Sequence, residues 1–290
     1  MTTVRVPAST SNLGAGFDCV GLALDLWLEA SVTPGDAAPE YHGTIAGLNP
    51  AHDVIGRILR ERGALADRHL VVRSAIPIGK GLGSSAAAVV AALALVQLLD
   101  GAPIDRDRLF DEAVDIEGHP DNAGPAVFGG LVLDATRPTK LVVHPSLGVA
   151  LALPDAGVPT ERARALLPDA VARRIAVDQA ARAAALVLGL TTGDVALLRH
   201  GLEDRLAEPH RRHLIPGYDA AREAGRSAGA YGVTISGSGS ALLALAPRDG
   251  TPRVADAMAD ALSHAGNPAV ACTPAIVSDG LQLRTTTGPS

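Results

Sequence analysis

The chain has 290 residues, enough for one large domain or two modest ones, and its composition of 47% hydrophobic and 19% charged residues is that of a globular protein. Aromatic residues make up only 2%, which leaves the core to Ala, Val and Leu, while a net charge of −6 and a pI near 5.8 exclude a general nucleic-acid or anionic-membrane surface. No apolar run reaches the roughly 18 residues of a membrane span, the opening MTTVRVPASTSNLG carries no leader pattern, and Cys19 and Cys272 are too few for a disulfide framework, so a reduced, cytoplasmic setting is expected.

In chain order, residues 4–6 alternate and stop at Pro7, which predicts a short strand. Residues 8–18 are small and polar, with Gly14 and Gly16 among them, and read as a loop. In that loop Asn12 and Asp18 supply an amide and a carboxylate suited to an ammonium or hydroxyl ligand. Residues 22–32 read as a strand in which Trp27 packs, and 33–36 as a turn. A helix is predicted within 49–62, with Asp53 as its N-cap. The strand 70–72 then delivers the chain to a glycine-rich segment.

That segment is Pro77, Ile78, Gly79, Lys80, Gly81, Leu82, Gly83, Ser84, Ser85 and Ala86. Glycine at every second position cannot be a strand interior and marks backbone that must approach something closely. An uncharged, alanine-rich helix follows to Leu99, apolar all round and therefore buried. A glycine loop feeding a helix N-terminus gathers free N–H groups at the positive end of a macrodipole, which is an anion site, most often for phosphate. No Gly-Lys-Ser/Thr closes it, so it is not the Walker type.

Beyond it, 108–117 is amphipathic and ends in Glu117-Gly118-His119-Pro120-Asp121-Asn122. Strands follow at 131–133, 141–143 and 149–153, with a change of character near Pro145 that divides the chain into 1–147 and 148–290. Helices are expected at 160–167, at 169–188 with Asp169 as N-cap, at 194–206 and up to about 228. Residues 233–235 enter Ser236-Gly237-Ser238-Gly239-Ser240, followed by a strand at 241–246, a helix at 254–264, a strand at 269–277 and a disordered tail from 285.

Five strings carry a resemblance. PIGKGLGSSAAA resembles the phosphate loop of the small-molecule kinases that include galactokinase, homoserine kinase, mevalonate kinase and phosphomevalonate kinase, the GHMP kinases. PASTSNLGAGFDCVGLAL and EGHPDNAGPAVFGG resemble homoserine kinase motifs within that superfamily, EPHRRHLIPG resembles a further family segment, and SGSGS resembles the third superfamily motif. The resemblance runs from about Val4 to Leu245. It implies an α+β GHMP kinase fold: an N-terminal ribosomal-S5-like domain with a left-handed βαβ crossover (1–147), a C-terminal ferredoxin-like domain (148–290) and an active site between them.

Carried over residue by residue, the resemblance implies that the 77–86 loop wraps the ATP phosphates, with Gly237, Ser238 and Gly239 nearby, and that Ser85 and Glu117 bind Mg²⁺. One hydroxyl, one carboxylate, phosphate oxygens and waters make a suitable oxygen shell for that ion. Asp53 lies at a place near adenine where the family often has Asn. Asn12, Asp18, His119, Asp121, Asn122, Thr160, Arg164 and Arg211 would hold the substrate, with Asn122 and Arg164 catalytic by positioning and no carboxylate base. Ser240 stands where many members have Pro. The implied reaction is ATP-dependent phosphorylation of L-homoserine to O-phospho-homoserine, on the route to threonine. A related kinase for another small alcohol and a non-catalytic ATP-binding regulator stay open, as does a homodimer.

Overall fold

The computed structural model describes residues 2–48 and 52–285. Its first half runs β1 (Thr2–Asn12), β2 (Gly16–Pro34), β3 (Glu40–Gly43), α1 (Val54–Glu61), β4 (Arg68–Ser74), α2 (Ser84–Leu99), α3 (Arg106–Glu117), α4 (Pro120–Phe128), β5 (Leu131–Asp134) and β6 (Pro138–Leu141). The second half runs β7 (Leu147–Pro154), α5 (Thr160–Ala165), α6 (Arg173–Thr192), α7 (Val195–Gly201), α8 (Glu208–Arg211), α9 (Tyr218–Ser227), β8 (Gly232–Ile235), β9 (Leu242–Pro247), α10 (Thr251–His264), β10 (Ala269–Cys272) and β11 (Gln282–Thr285).

Two sheets result. The first has the order β11-β1-β2-β4-β3, with β5 added to β2 and β6 to β5. Its β3 and β4 are parallel and joined through α1. The second is antiparallel, β10-β7-β9-β8, and is packed by α9 and α10. β11 pairs with β1, so the end of the chain returns to the first sheet. A single cut at 147 therefore does not separate the sheets: the open edge of β1 exposes unpaired backbone N–H and C=O groups, and Gln282–Thr285 pairs with them.

The buried helix is α2. Its Val89, Val90, Ala91, Ala92, Ala94 and Leu95 are all essentially inaccessible, and it packs on β1, α1, α3 and α4. Small side chains let these elements approach, and each buried Leu or Val contributes roughly 1.5–3 kcal/mol.

The structure corrects or adds to the local reading at five places. β1 does not stop at Pro7 but runs on to Asn12, because a register shift between Pro7 and Ala8 absorbs the proline. Residues 120–128 are helical, with Pro120 at the first helical position, where a missing N–H costs nothing. The long second-half helix opens at Arg173, with Ala172 and not Asp169 at its N-cap. The helix after Asp194 ends at Gly201, and residues 202–206 turn instead. Thr285, expected in the tail, belongs to β11; residues 286–290 lie outside the described residues.

Candidate active site

The glycine loop reaches its cleft in left-handed backbone: φ is +67° at Gly79, +77° at Gly81 and +65° at Gly83. Packing adds a second constraint at two of them. A Cβ on Gly81 would stand 2.0 Å from Ser236 O, and one on Gly83 2.0 Å from Ser9 Oγ, whereas one on Gly79 would meet nothing within 4 Å. Gly83 caps α2 with no side chain of its own, so the first-turn N–H groups of a 16-residue helix are left to a ligand.

The end of β1 is the strut beneath this loop. Its side chains alternate, as a strand requires. On one side Ser9 Oγ donates to Asn122 Oδ1 at 2.8 Å and Ser11 Oγ accepts from Asn122 Nδ2 at 3.0 Å. On the other, Thr10 Oγ1 lies 2.8 Å from Ser236 Oγ, and Asn12 Nδ2 donates to Gly237 O at 2.9 Å. Ser236 Oγ in turn donates to Gly81 O at 2.7 Å, and the Ser9 N–H to Leu82 O at 3.2 Å. Three motifs far apart in sequence are thus bound into one buried polar unit.

At the mouth, Ser85 Oγ donates to Glu117 Oε1 at 2.6 Å. A hydroxyl and a carboxylate stand together beside the α2 N-terminus, and a hard divalent cation takes such oxygens along with phosphate oxygens and water. Among the described residues no cluster of three metal-ligating side chains occurs, so a cation here would draw the rest of its shell from nucleotide and solvent. Two residues past Glu117, His119 Nδ1 lies 2.7 Å from Asp121 Oδ1, which also accepts from Asn122 Nδ2 at 3.2 Å. The hydrogen bond to Asp121 raises the His119 pKa above its ordinary value, partly opposed by burial.

The opposite wall is cationic. Arg164 on α5 makes a two-bond fork with Asp18, Nη1 to Oδ2 at 2.9 Å and Nη2 to Oδ1 at 2.7 Å, which holds its own pKa up. Arg211 on α8 is 3% exposed and donates from Nε to Ala163 O at 3.0 Å; burial, then the neighbouring Arg164 charge, pushes its pKa down. Both guanidinium groups approach the Phe17 ring, Arg164 at 5.9 Å and Arg211 at 5.1 Å from its centroid, within cation–π range. Thr160 Oγ1 sits 3.2 Å from Ser238 Oγ and ties α5 to the third glycine turn. Glu208, buried at the start of α8, accepts from Tyr218 Oη, Thr234 Oγ1 and the Ile235 N–H, and these bonds anchor the helix that carries Arg211.

One cleft collects nearly every residue singled out in the sequence: Asn12, Asp18, Asp53, Ile78, Gly79, Gly81, Gly83, Ser84, Ser85, Ala86, Glu117, His119, Asp121, Asn122, Thr160, Arg164, Arg211, Gly237 and Ser238. Pro77, Lys80, Leu82 and Gly239 do not line it. Leu82 is core, Lys80 Nζ donates to Asp155 O, and Gly239 faces Ile215 and Ile235. Ser240 is 2% exposed and donates to Ala156 O, so serine at this place fixes the turn. At the far end Leu28, Tyr41, Ile45, Leu48, Ile55 and Val72 give the cleft an apolar wall suited to a flat heterocycle. Asp53 stands at that end as the N-cap of α1, accepting from the Gly56 N–H at 2.8 Å. Sequence reasoning had not singled out Ser9, Ser11, Phe17 or Tyr41. The alternating Ser9-Thr10-Ser11-Asn12 pattern was the available signal for the serines.

Comparison with known proteins agrees with this geometry. Residues 49–130 match the model of the GHMP kinases N terminal domain, and residues 181–264 that of the GHMP kinases C terminal. The homoserine kinase of Cutibacterium acnes is 42% identical, over 87% of this chain and 91% of that protein. That of Gloeobacter violaceus is 39% identical, over 90% and 93%. The crystal structure of homoserine kinase from Cytophaga hutchinsonii superposes with a TM-score of 0.84 at 29% identity, covering 98% of this chain and 97% of that one. With its glycine loop, hydroxyl–carboxylate pair and arginine wall in one cleft, and with relatives matching over about nine-tenths of their length, the chain belongs to the homoserine kinase family of the GHMP kinases.

Proposed function

We propose that this chain transfers the γ-phosphoryl group of ATP to the side-chain hydroxyl of L-homoserine, giving O-phospho-homoserine. The observation that carries the reading is a single cleft with an anion-binding helix end on one wall and paired opposite charges on the other. Asn122 is one of its lining residues. A small zwitterion with a free hydroxyl suits that distribution, and the relatives named homoserine kinases favour the same substrate.

In this reading Asp18 and Asn12 take the ammonium and Arg164 and Arg211 the carboxylate. Arginine's planar fork suits a carboxylate. Asn122 commits both amide hydrogens to Ser11 and Asp121 and accepts once from Ser9, which leaves Oδ1 one acceptor position for the attacking hydroxyl. A neutral amide orients that hydroxyl without removing its proton early. Phosphoryl transfer through a loose transition state needs little more, and positioning with charge stabilisation does most of the work. Ser85 and Glu117 would hold Mg²⁺, which when bound neutralises charge on the phosphate oxygens. The α2 N–H groups and the left-handed Gly79 and Gly81 backbone receive the phosphates, and the apolar wall near Tyr41 and Ile45 takes the base.

The test is product identification. With Mg·ATP and L-homoserine, phosphorus NMR should show a new phosphomonoester and ADP in equal amounts. ATP bound but no phosphomonoester formed would favour a regulator on the kinase fold.

A further inference from the structure

The cleft accounts for the charged residues of the substrate wall but not for what holds them at a fixed spacing. Asp18 is the third residue of β2, just past the turn at 13–15 and itself in left-handed backbone, and Arg211 ends the four-residue helix α8. Behind both lies α6, none of whose side chains lines the cleft.

Gln179 projects from α6 and is 6% exposed. Its Nε2 donates to Ala15 O at 3.0 Å and to Asp204 Oδ1 at 2.8 Å, and its Oε1 accepts from the Arg205 N–H at 2.8 Å. Both amide hydrogens and one lone pair are used in one buried place. Ala15 is three residues before Asp18. Asp204 accepts from the backbone N–H groups of Leu206, Ala207 and Glu208, the residues that lead into α8. Arg211 closes that helix and reaches across to Ala163 O, next to Arg164. One amide therefore ties the segment carrying the acidic anchor to the segment carrying the basic one.

We infer that Gln179, which touches no substrate, is a positioning residue that sets the distance between the Asp18–Arg164 pair and Arg211 and so tunes recognition of a zwitterionic substrate. The inference rests on the reading of Asp18, Arg164 and Arg211 as substrate anchors. Without the amide, Asp204 keeps its three backbone donors and α8 stays capped, so the fold survives. What is lost is the amide's three-way tie of Ala15, Asp204 and Arg205. The Ala15 N–H still donates to Gly201 O, but the two anchors are coupled less tightly, and a ligand that must meet both loses preorganisation. The nucleotide half, built from β1, α2 and the third glycine turn, makes no bond to Gln179 among the described residues and is unaffected.

The experiment is steady-state kinetics on Gln179→Leu, which keeps bulk and removes the amide, and on Gln179→Glu, which keeps shape but puts a carboxylate against Asp204. Leu186→Ala, a fully buried change on the same helix, is the control for stability alone. Arg211→Ala tests the underlying reading. In both Gln179 variants the KM for homoserine should rise about tenfold or more, with the KM for ATP and kcat within about threefold of the parent. Leu186→Ala should lower Tm at least as much and move neither KM. Unchanged homoserine KM in Gln179→Leu or Gln179→Glu, while Arg211→Ala raises it, would overturn the inference and leave the substrate reading standing. Loss of folding in both Gln179 variants with Leu186→Ala folded would assign the residue to stability and also overturn it. An unchanged homoserine KM in Arg211→Ala would overturn both.

Discussion

Arg164 and Asp18 close a two-bond fork across the cleft, 2.7 and 2.9 Å, although they were expected to hold opposite ends of the substrate. The two roles are compatible if a zwitterion exchanges with the pair, its ammonium taking the carboxylate and its carboxylate the guanidinium. Charge stays balanced at every stage. Each side chain is about a third exposed, so the pair itself contributes little to stability, of order 1 kcal/mol or less. Arg164→Ala should raise the homoserine KM about tenfold or more, since a hydrogen bond to a charged group is worth roughly 1.5–3 kcal/mol, while ATP affinity stays nearly constant. Asp18→Ala should do the same by leaving Arg164 beside Arg211 without a counter-charge. The double variant should lose less than the product of the single losses; a full product would mean the two act independently.

The three loop glycines separate by substitution. Gly79→Ala puts a methyl into open space and costs only the left-handed backbone, roughly 1–2 kcal/mol, yet alters the loop proposed to meet phosphate. Its nucleotide affinity should fall about tenfold with the fold retained, measured by titration calorimetry and thermal melting. Gly83→Val is a poor probe of phosphate binding, since its side chain would collide with Ser9 Oγ. It should lower Tm sharply. Unchanged nucleotide affinity in folded Gly79→Ala would remove the loop from phosphate recognition.

Much of this was legible in the sequence, because the glycine loop and α2 are local. Alternating glycines and an uncharged alanine helix define themselves within about two dozen residues. The misreadings came where distant chain decides. Residues 8–12 look like a loop because they are small and polar, yet they are strand because Asn122, Ser236 and Gly237 receive their side chains more than a hundred residues away. The helix at Pro120 is hidden by a proline that reads as a break and serves as a start. No local pattern marks β11, whose reason for being a strand is the free edge of β1.

Ser85 and Glu117 touch each other at 2.6 Å, and neither is needed by the core. Ser85→Ala and Glu117→Gln should leave Tm within a few degrees, as surface changes of under about 1 kcal/mol do. Turnover should fall by orders of magnitude, with the Mg²⁺ needed for half-maximal rate shifted upward. Glu117→Gln with near-normal turnover at limiting Mg²⁺ would remove this residue from the cation site.

His119 carries a raised pKa, first through its hydrogen bond to Asp121 and less through the charge of that carboxylate, against the opposing effect of burial. A raised folded-state pKa gives a stabilising contribution that is complete below the ordinary value of 6.5 and fades as pH rises through the raised value. The stability difference between the parent and Asp121→Asn should therefore be larger on the acid side of that window than on the alkaline side. An NMR titration of the His119 ring should move down in Asp121→Asn. A titration unaltered by that substitution would mean that Asp121 does not hold the imidazolium.

The most direct measurement is kcat/KM by ADP release with Mg·ATP across a panel: L-homoserine, mevalonate, 4-hydroxybutyrate and an aminoalcohol without a carboxylate. The walls formed by Asp18, Arg164 and Arg211 lead us to expect homoserine to be first, with each analogue that lacks one charge slower by about tenfold or more. An uncharged or singly charged alcohol phosphorylated faster than homoserine would contradict the substrate assignment while leaving a kinase. No turnover with any alcohol, in a protein that binds ATP, would contradict the account as a whole.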